Sequence, residues 1–219
     1  ADDGDEGQLA FAELAEEQPQ LLLEGSARRA LRTSPRFDKY FFIEQSAERC
    51  AQLEQMRTEY PELSRDIVIH QGEANASIRA LCSGTDWALR RAVMFLDPYG
   101  LQVEWPTLES IARTRAIDLW VLFPLGMGVN RMLDRSGQIP ESWRERLNLL
   151  LGTDAWYDEF YRFERKPTLF GDCEESVIKA STETIERYFV RRLETIFAAV
   201  APEPKVLVNS RKCPLYLLC

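Results

Sequence analysis

Ala92-Val93-Met94-Phe95-Leu96-Asp97-Pro98-Tyr99-Gly100 is a run of five apolar residues that stops at an acid, a proline, an aromatic and a glycine. An apolar run of that length without polar alternation reads as a buried strand, and Asp-Pro-Tyr-Gly as the turn that closes it. The same grammar recurs outward in both directions. Upstream, Lys39-Tyr40-Phe41-Phe42-Ile43 ends at Glu44, and a helix runs from about Ser46 to Tyr60, with Ser46 as N-cap and Pro61 as its stop. Ile67-Val68-Ile69-His70 then enters Gly72-Glu73-Ala74-Asn75 and a short helix through Ile78 and Leu81. Downstream, a helix around Thr107 to Arg113 leads to a fourth strand, Ile117 to Phe123, broken by Pro124 and Gly126, with a short helix from Val129 to Leu133. Strands alternating with helices specify an α/β chain with a mostly parallel sheet covered on both faces.

Beyond the fourth strand the text changes. Trp143, Leu147, Leu150, Trp156, Tyr157, Phe160 and Tyr161 mark two helical segments, an insertion at about 136–170. Apolar residues at Ile178, Ile185, Phe189, Leu193, Ile196 and Val200 recur every three or four positions or multiples of them, which predicts one long helix from about Glu174 to Val200. Lys205-Val206-Leu207-Val208 and Leu215-Tyr216-Leu217-Leu218 flank a short polar link, the pattern of an antiparallel C-terminal hairpin. Residues 1–24 read as an N-terminal insertion or lid, and 25–219 as one domain. Nothing before Lys39 supplies the central first strand and glycine-rich turn that a doubly wound sheet requires, and Leu218 closes an apolar run only one residue before the end. The first strand is therefore expected to be missing from the chain. The alternative at the C-terminus is a short edge strand at a true end.

Composition bounds the function classes. The chain has 219 residues, 45% of them hydrophobic, enough for one sizeable core. No apolar run approaches the roughly 18 residues that cross a bilayer, and no charged-then-apolar leader opens the sequence, so no membrane association is expected. The five cysteines are dispersed, without any CxxC, and His70 is the only histidine. That composition predicts no metal site and suits a reduced, cytoplasmic setting. A net charge of -8 argues against wholesale nucleic-acid binding while leaving room for a local basic face.

Ligands of doubly wound sheets gather at the C-terminal ends of strands, so the residues there are the candidates. Glu44 can accept two hydrogen bonds from a ribose diol, or simply cap the next helix. Glu73, with Ala74 beside it, can accept a bond from an adenine amino group, or serve as a surface turn acid. Asp97, Pro98 and Tyr99 form the sharpest signal. An exocyclic amine on a base is a poor nucleophile, because its lone pair is delocalised into the ring. A carboxylate next to a proline that lacks an N–H can accept the amino hydrogens and localise that pair, while an aromatic stacks on the base. The same tripeptide also occurs in ordinary turns. His70 reads as a core or edge residue, the aromatic cluster from Trp143 to Phe163 as core. The paired arginines read as solvated faces, unless Arg28, Arg29 and Arg131 converge near Asp97.

These motifs together resemble the three-Cys-motif partner (TcmP) family. The resemblance rests on Phe41-Phe42-Ile43-Glu44, Gly72-Glu73-Ala74-Asn75, Phe95-Leu96-Asp97-Pro98-Tyr99-Gly100-Leu101, and the run from Ala116 through Leu122-Phe123-Pro124-Leu125-Gly126 to Val129-Asn130-Arg131. Gly25-Ser26 ahead of Ala30-Leu31, and Val208-Asn209-Ser210 ahead of Pro214-Leu215-Tyr216, fit it as well. It implies a Rossmann-like methyltransferase sheet with S-adenosylmethionine (SAM) as cofactor, bound at Glu44, Glu73, Ala74 and Asp97, with Asp97, Pro98 and Tyr99 catalytic. It also implies a partner bearing a three-cysteine, iron–sulfur motif. The chain departs from the family pattern in lacking the glycine loop, and in carrying Glu73 where an Asp is commoner. The expected activity is methyl transfer to an exocyclic amine of nucleic acid or a nucleotide. The alternative is a non-catalytic scaffold for the three-cysteine protein.

Overall fold

A computed structural model describes residues 25–98, 101–167, 173–201, 203–208 and 214–218, and it has a mixed α/β architecture with small parallel and antiparallel sheets. Two compact units divide the chain at Leu81 and Cys82. The N-terminal stretch 1–24 lies outside the described residues.

In the first unit, β1 (Tyr40–Glu44) and β2 (Ile67–Gln71) run parallel, in register from Tyr40 with Ile67 to Glu44 with Gln71. The helix Ala47–Glu59 makes the crossover, its first turn closed by Ser46, whose hydroxyl accepts the Arg49 N–H at 3.4 Å. Pro61 does more than stop this helix. Lacking an N–H, it opens a 3₁₀ turn, Pro61–Leu63, that buries Leu63. Leu31, Tyr40, Met56, Leu63 and Ile67 form the core. The short helix Ser26–Leu31 is clamped on by a two-point bond from Arg28 to the Glu59 carboxylate.

In the second unit, β3 (Ala92–Leu96) pairs parallel with β4 (Ile117–Phe123) through the helix Trp105–Thr114. Leu108 and Ile111 of that helix are fully buried, and Arg115 ends it at φ 50°. β8 (Pro214–Leu218) lies antiparallel between β4 and β7 (Lys205–Val208), giving the order β3-β4-β8-β7. β7 therefore runs parallel to β4, and the terminal hairpin forms as the sequence predicts. β1–β2 and the four-stranded sheet are separate sheets. One face of the larger sheet is packed: Phe189 stacks on Phe123 with centroids 3.8 Å apart. The other face departs from the expectation of cover on both sides. Val93, Phe95 and Trp120 share it and stay about half exposed.

The region after Pro140 corrects the sequence reading. Helices Glu141–Leu151 and Trp156–Phe160 occupy the expected insertion, but a strand, β5 (Tyr161–Pro167), starts at once and pairs antiparallel with β6 (Cys173–Lys179). The predicted long helix over 174–200 is thus a strand followed by the shorter helix Thr182–Glu194. Ser181 decides the boundary, its side chain accepting the Thr184 N–H at 3.3 Å. Ile178 and Ile185 are seven residues apart, a spacing that fits a helical stripe, yet Ile178 is on the exposed side of a strand. Ile185, Phe189 and Leu193 are buried as the stripe predicts. Near the fourth strand, the backbone makes a π turn over Leu125–Val129 before one short helical turn, Asn130–Met132.

Among the described residues no helix is long and apolar enough to cross a membrane.

Candidate functional site

The first cluster forms because β1 and β2 are parallel, so both C-terminal ends reach one edge of the first unit. There the Gly72 N–H donates to the Glu44 carbonyl at 3.0 Å, which places Glu44 beside the Gly72-Glu73 turn. The Glu44 carboxylate is partly committed. Oε1 accepts the Ser46 N–H at 2.8 Å, and Oε2 sits 3.8 Å from Arg49. Since each carboxylate oxygen offers two lone pairs, Glu44 keeps acceptor capacity for a diol.

Glu73 is more heavily used. Its Oε1 accepts both the N–H and the side-chain amide of Asn75 at 2.8 Å, and Oε2 accepts the Ala76 N–H at 2.7 Å. Three of its roughly four lone-pair positions are therefore spent on the start of helix Ala74–Gly84. Burial pushes the Glu73 carboxyl up. The bonds from Ala76 and Asn75, with Arg79 nearby, outweigh it and hold the group below its ordinary range. Ala74 is the exposed first residue of that helix, and His70 is exposed near the strand end rather than in the core.

The second cluster, in the second unit, is built on β3 and β4. Leu96 pairs with Val121, so Asp97-Pro98 and Phe123-Pro124 leave the sheet at the same edge. Asp97 has an exposed side chain with no hydrogen-bond partner among the described residues, and Pro98 is half-buried. Protein crowding Asp97 from behind nevertheless pushes its carboxyl above the usual carboxylate range, through burial alone. Tyr99 and Gly100 lie outside the described residues. The chain re-enters the core at Leu101 and Val103. The π turn packs against it: a Cβ on Gly128 would lie 3.0 Å from Leu101 and 2.9 Å from Pro124, while Leu125 and Val129 are buried. π turns gather at functional positions, and this one directly follows β4.

Glu44, Glu73 and Ala74 thus share an edge in one unit, and Asp97 and Pro98 share an edge in the other. No family model matches this chain, and no curated protein matches it.

The sequence reading did not reveal the polar contacts of Lys179 and Tyr161. Lys179, half-buried, donates to the Asn130 carbonyl at 2.7 Å, tying β6 to the segment after the π turn. Burial and Arg135 push its ammonium down, with Asp134 opposing. Tyr161 donates to the Asp134 carbonyl at 2.7 Å, and burial, Tyr157 and Asp134 push its phenol up to about 12. The period-two placement of Tyr161 and Phe163 against Val177 and Lys179 was the available signal. Trp156, Phe160 and Tyr161 are core, as expected, but Phe163 is 58% exposed. Of the paired arginines, Arg28 is held by Glu59, Arg113 by Glu109 and Arg191 by Glu159, and Arg192 lies over the Trp105 ring at 4.4 Å. Among the described residues no cluster could hold a metal ion, and Cys50 and Cys82 are buried free thiols.

Proposed function

We propose that this chain is a SAM-dependent methyltransferase-like protein acting on an exocyclic amine of nucleic acid or a nucleotide, with a three-cysteine iron–sulfur protein as its partner. The observation that carries this reading is Asp97. It is a carboxyl at the C-terminal end of a parallel strand, exposed, unpartnered among the described residues and raised above its ordinary range. The order β3-β4-β8-β7, with one antiparallel strand between parallel ones, supports a methyltransferase variant of the Rossmann-like sheet. SAM, when bound, supplies an activated methyl group together with its own leaving group. Glu44 fits the ribose diol of such a cofactor. Glu73 fits adenine poorly, with a single lone pair to spare.

In this reading Asp97 accepts the amino hydrogens of the acceptor, localises the nitrogen lone pair and takes up the proton the nitrogen loses. A raised pKa makes it the better proton acceptor. Rate then comes chiefly from alignment of the amine with the methyl carbon. Tritiated-methyl incorporation into nucleic acid, run beside thermal shift with SAM, tests the assignment. In a protein shown first to bind SAM, Asp97→Ala abolishes transfer and leaves SAM affinity nearly intact; loss of SAM binding and melting temperature together would show a structural role instead.

A second reading, a non-catalytic scaffold for the three-cysteine protein, is favoured by Glu73, whose carboxylate is spent almost wholly on its own helix. Wild-type chain that binds SAM but labels no fraction, with or without the partner, selects it.

A further inference from the structure

Away from the strand ends, the second unit carries an open depression of about 600 Å3 lined by Gly137, Gln138, Ile139, Pro140, Arg144 and Tyr157. The Arg144 guanidinium lies over the Tyr157 ring, 4.8 Å from its centroid. Tyr157 is itself anchored, its hydroxyl donating to the Gly137 carbonyl at 2.8 Å. The ring beneath the guanidinium is thus anchored, and stacking on it favours this position of the side chain. Arg113 and Arg191 spend their donors on Glu109 and Glu159. Arg144, by contrast, has no carboxylate or carbonyl partner among the described residues, although Glu141 and Glu145 lie on the same helix. A positioned guanidinium with unspent donors suits an oxyanion, which it can grip by two parallel bonds.

A flat apolar surface stands beside it. Phe163 is 58% exposed. Its ring centroid is 6.4 Å from that of Tyr157. Gly137, at φ 77°, forms the floor between them: a Cβ there would meet Val177 at 3.3 Å, the Tyr157 hydroxyl at 3.5 Å and Phe163 at 3.6 Å. In sequence, its lining residues 137–140 follow the π turn by which the chain leaves β4.

An oxyanion grip and an exposed ring that flank the same tyrosine, one 4.8 Å and the other 6.4 Å from its centroid, suit the phosphate and base of one nucleotide unit. We propose that this depression is a nucleotide-binding subsite, with the phosphate on Arg144 and the base against Phe163. The inference deepens the acceptor part of the functional reading, and names the residues that hold the acceptor away from the reacting amine.

Fluorescence anisotropy of a labelled short oligouridylate on the full chain, without SAM, tests it. Competition by AMP and by inorganic phosphate separates a free nucleotide from one within a strand. Arg144→Ala weakens oligonucleotide and AMP binding roughly ten-fold or more, because a charge-assisted bidentate contact is lost. Arg146→Ala removes the same charge from another face of the helix and costs at most about two-fold. Phe163→Ala weakens the oligonucleotide and AMP but leaves phosphate competition unchanged. Arg144→Lys keeps the charge without the fork and loses several-fold, so a fold defect in the alanine variant does not decide the result. No oligonucleotide binding, or equal losses for Arg144→Ala and Arg146→Ala, overturns the subsite. Binding that needs Arg144 without any methyl transfer removes the methyltransferase reading and leaves the subsite. Transfer that Arg144→Ala does not alter does the reverse.

Discussion

Gly152 tests the packing of the second unit most sharply. It ends helix Glu141–Leu151 at φ 69°, its N–H donating to the Asn148 carbonyl at 2.8 Å. A Cβ at this position would sit 2.2 Å from Trp105 Cγ and 2.3 Å from Cδ1. Trp105 cannot yield easily: it is 3% exposed, and Arg192 covers it while donating to the Leu151 carbonyl at 3.0 Å. Gly152→Ala therefore incurs about 1–2 kcal/mol for a left-handed L-residue. Displacing a packed aromatic adds about 1–3 kcal/mol. The stiffer unfolded chain returns only about 0.4–1 kcal/mol. The net loss is about 1–5 kcal/mol, or roughly 2–20 °C in the melting temperature of a chain this size. Gly84→Ala is the control, since no atom lies within 4 Å of its would-be Cβ. It should be neutral or stabilising by up to about 1 kcal/mol. Thermal melts followed by circular dichroism compare the two. A Gly152→Ala melt that overlays wild type refutes the account of this contact.

Two further outcomes follow from the same physics. Phe189→Ala removes the ring stacked on Phe123 and should cost about 3–5 kcal/mol in urea unfolding, with Phe189→Leu losing visibly less. Glu73 titrates below its ordinary value in the folded chain, so its stabilisation is fully present above the unfolded carboxylate pKa and is lost as pH falls through the lower, folded one. Melts of wild type and Glu73→Ala should accordingly differ most near neutral pH and converge in acid, once the pH has fallen below the ordinary carboxylate range; a difference that grows in acid contradicts the capping role.

The candidate site was legible wherever a local rule could place it. Glu44 and Asp97 each directly follow an apolar run that reads as a strand, Glu73 follows the turn glycine that closes another, and a parallel strand delivers what comes next to the C-terminal edge. What those carboxylates do there was not legible. Glu73 turns out to be engaged by Asn75 and Ala76, and Asp97 to have no partner among the described residues, because hydrogen bonding depends on a few tenths of an ångström that no spacing rule encodes. Arg144 and Tyr157 were further out of reach, being thirteen residues apart and joined only when two helices pack.

By itself, the sequence determined the elements whose partners are local or whose pattern has a single reading. These are the four apolar strands, the Ser46-capped helix, the terminal hairpin and the stripe of Ile185, Phe189 and Leu193. Tertiary structure alone decided the fate of residues 161–179. Arg162-Phe163-Glu164 and Ser176-Val177-Ile178 have an alternation too short to outweigh a helical spacing, and become strands only by pairing with each other across the chain. It also decided which face of β3 is packed, since an apolar run such as Val93-Met94-Phe95 carries no label for the side that a helix will cover. A helix is stabilised by bonds to its own neighbours and announces itself in a window of residues, whereas a strand draws its bonds from a distant segment that the window does not contain.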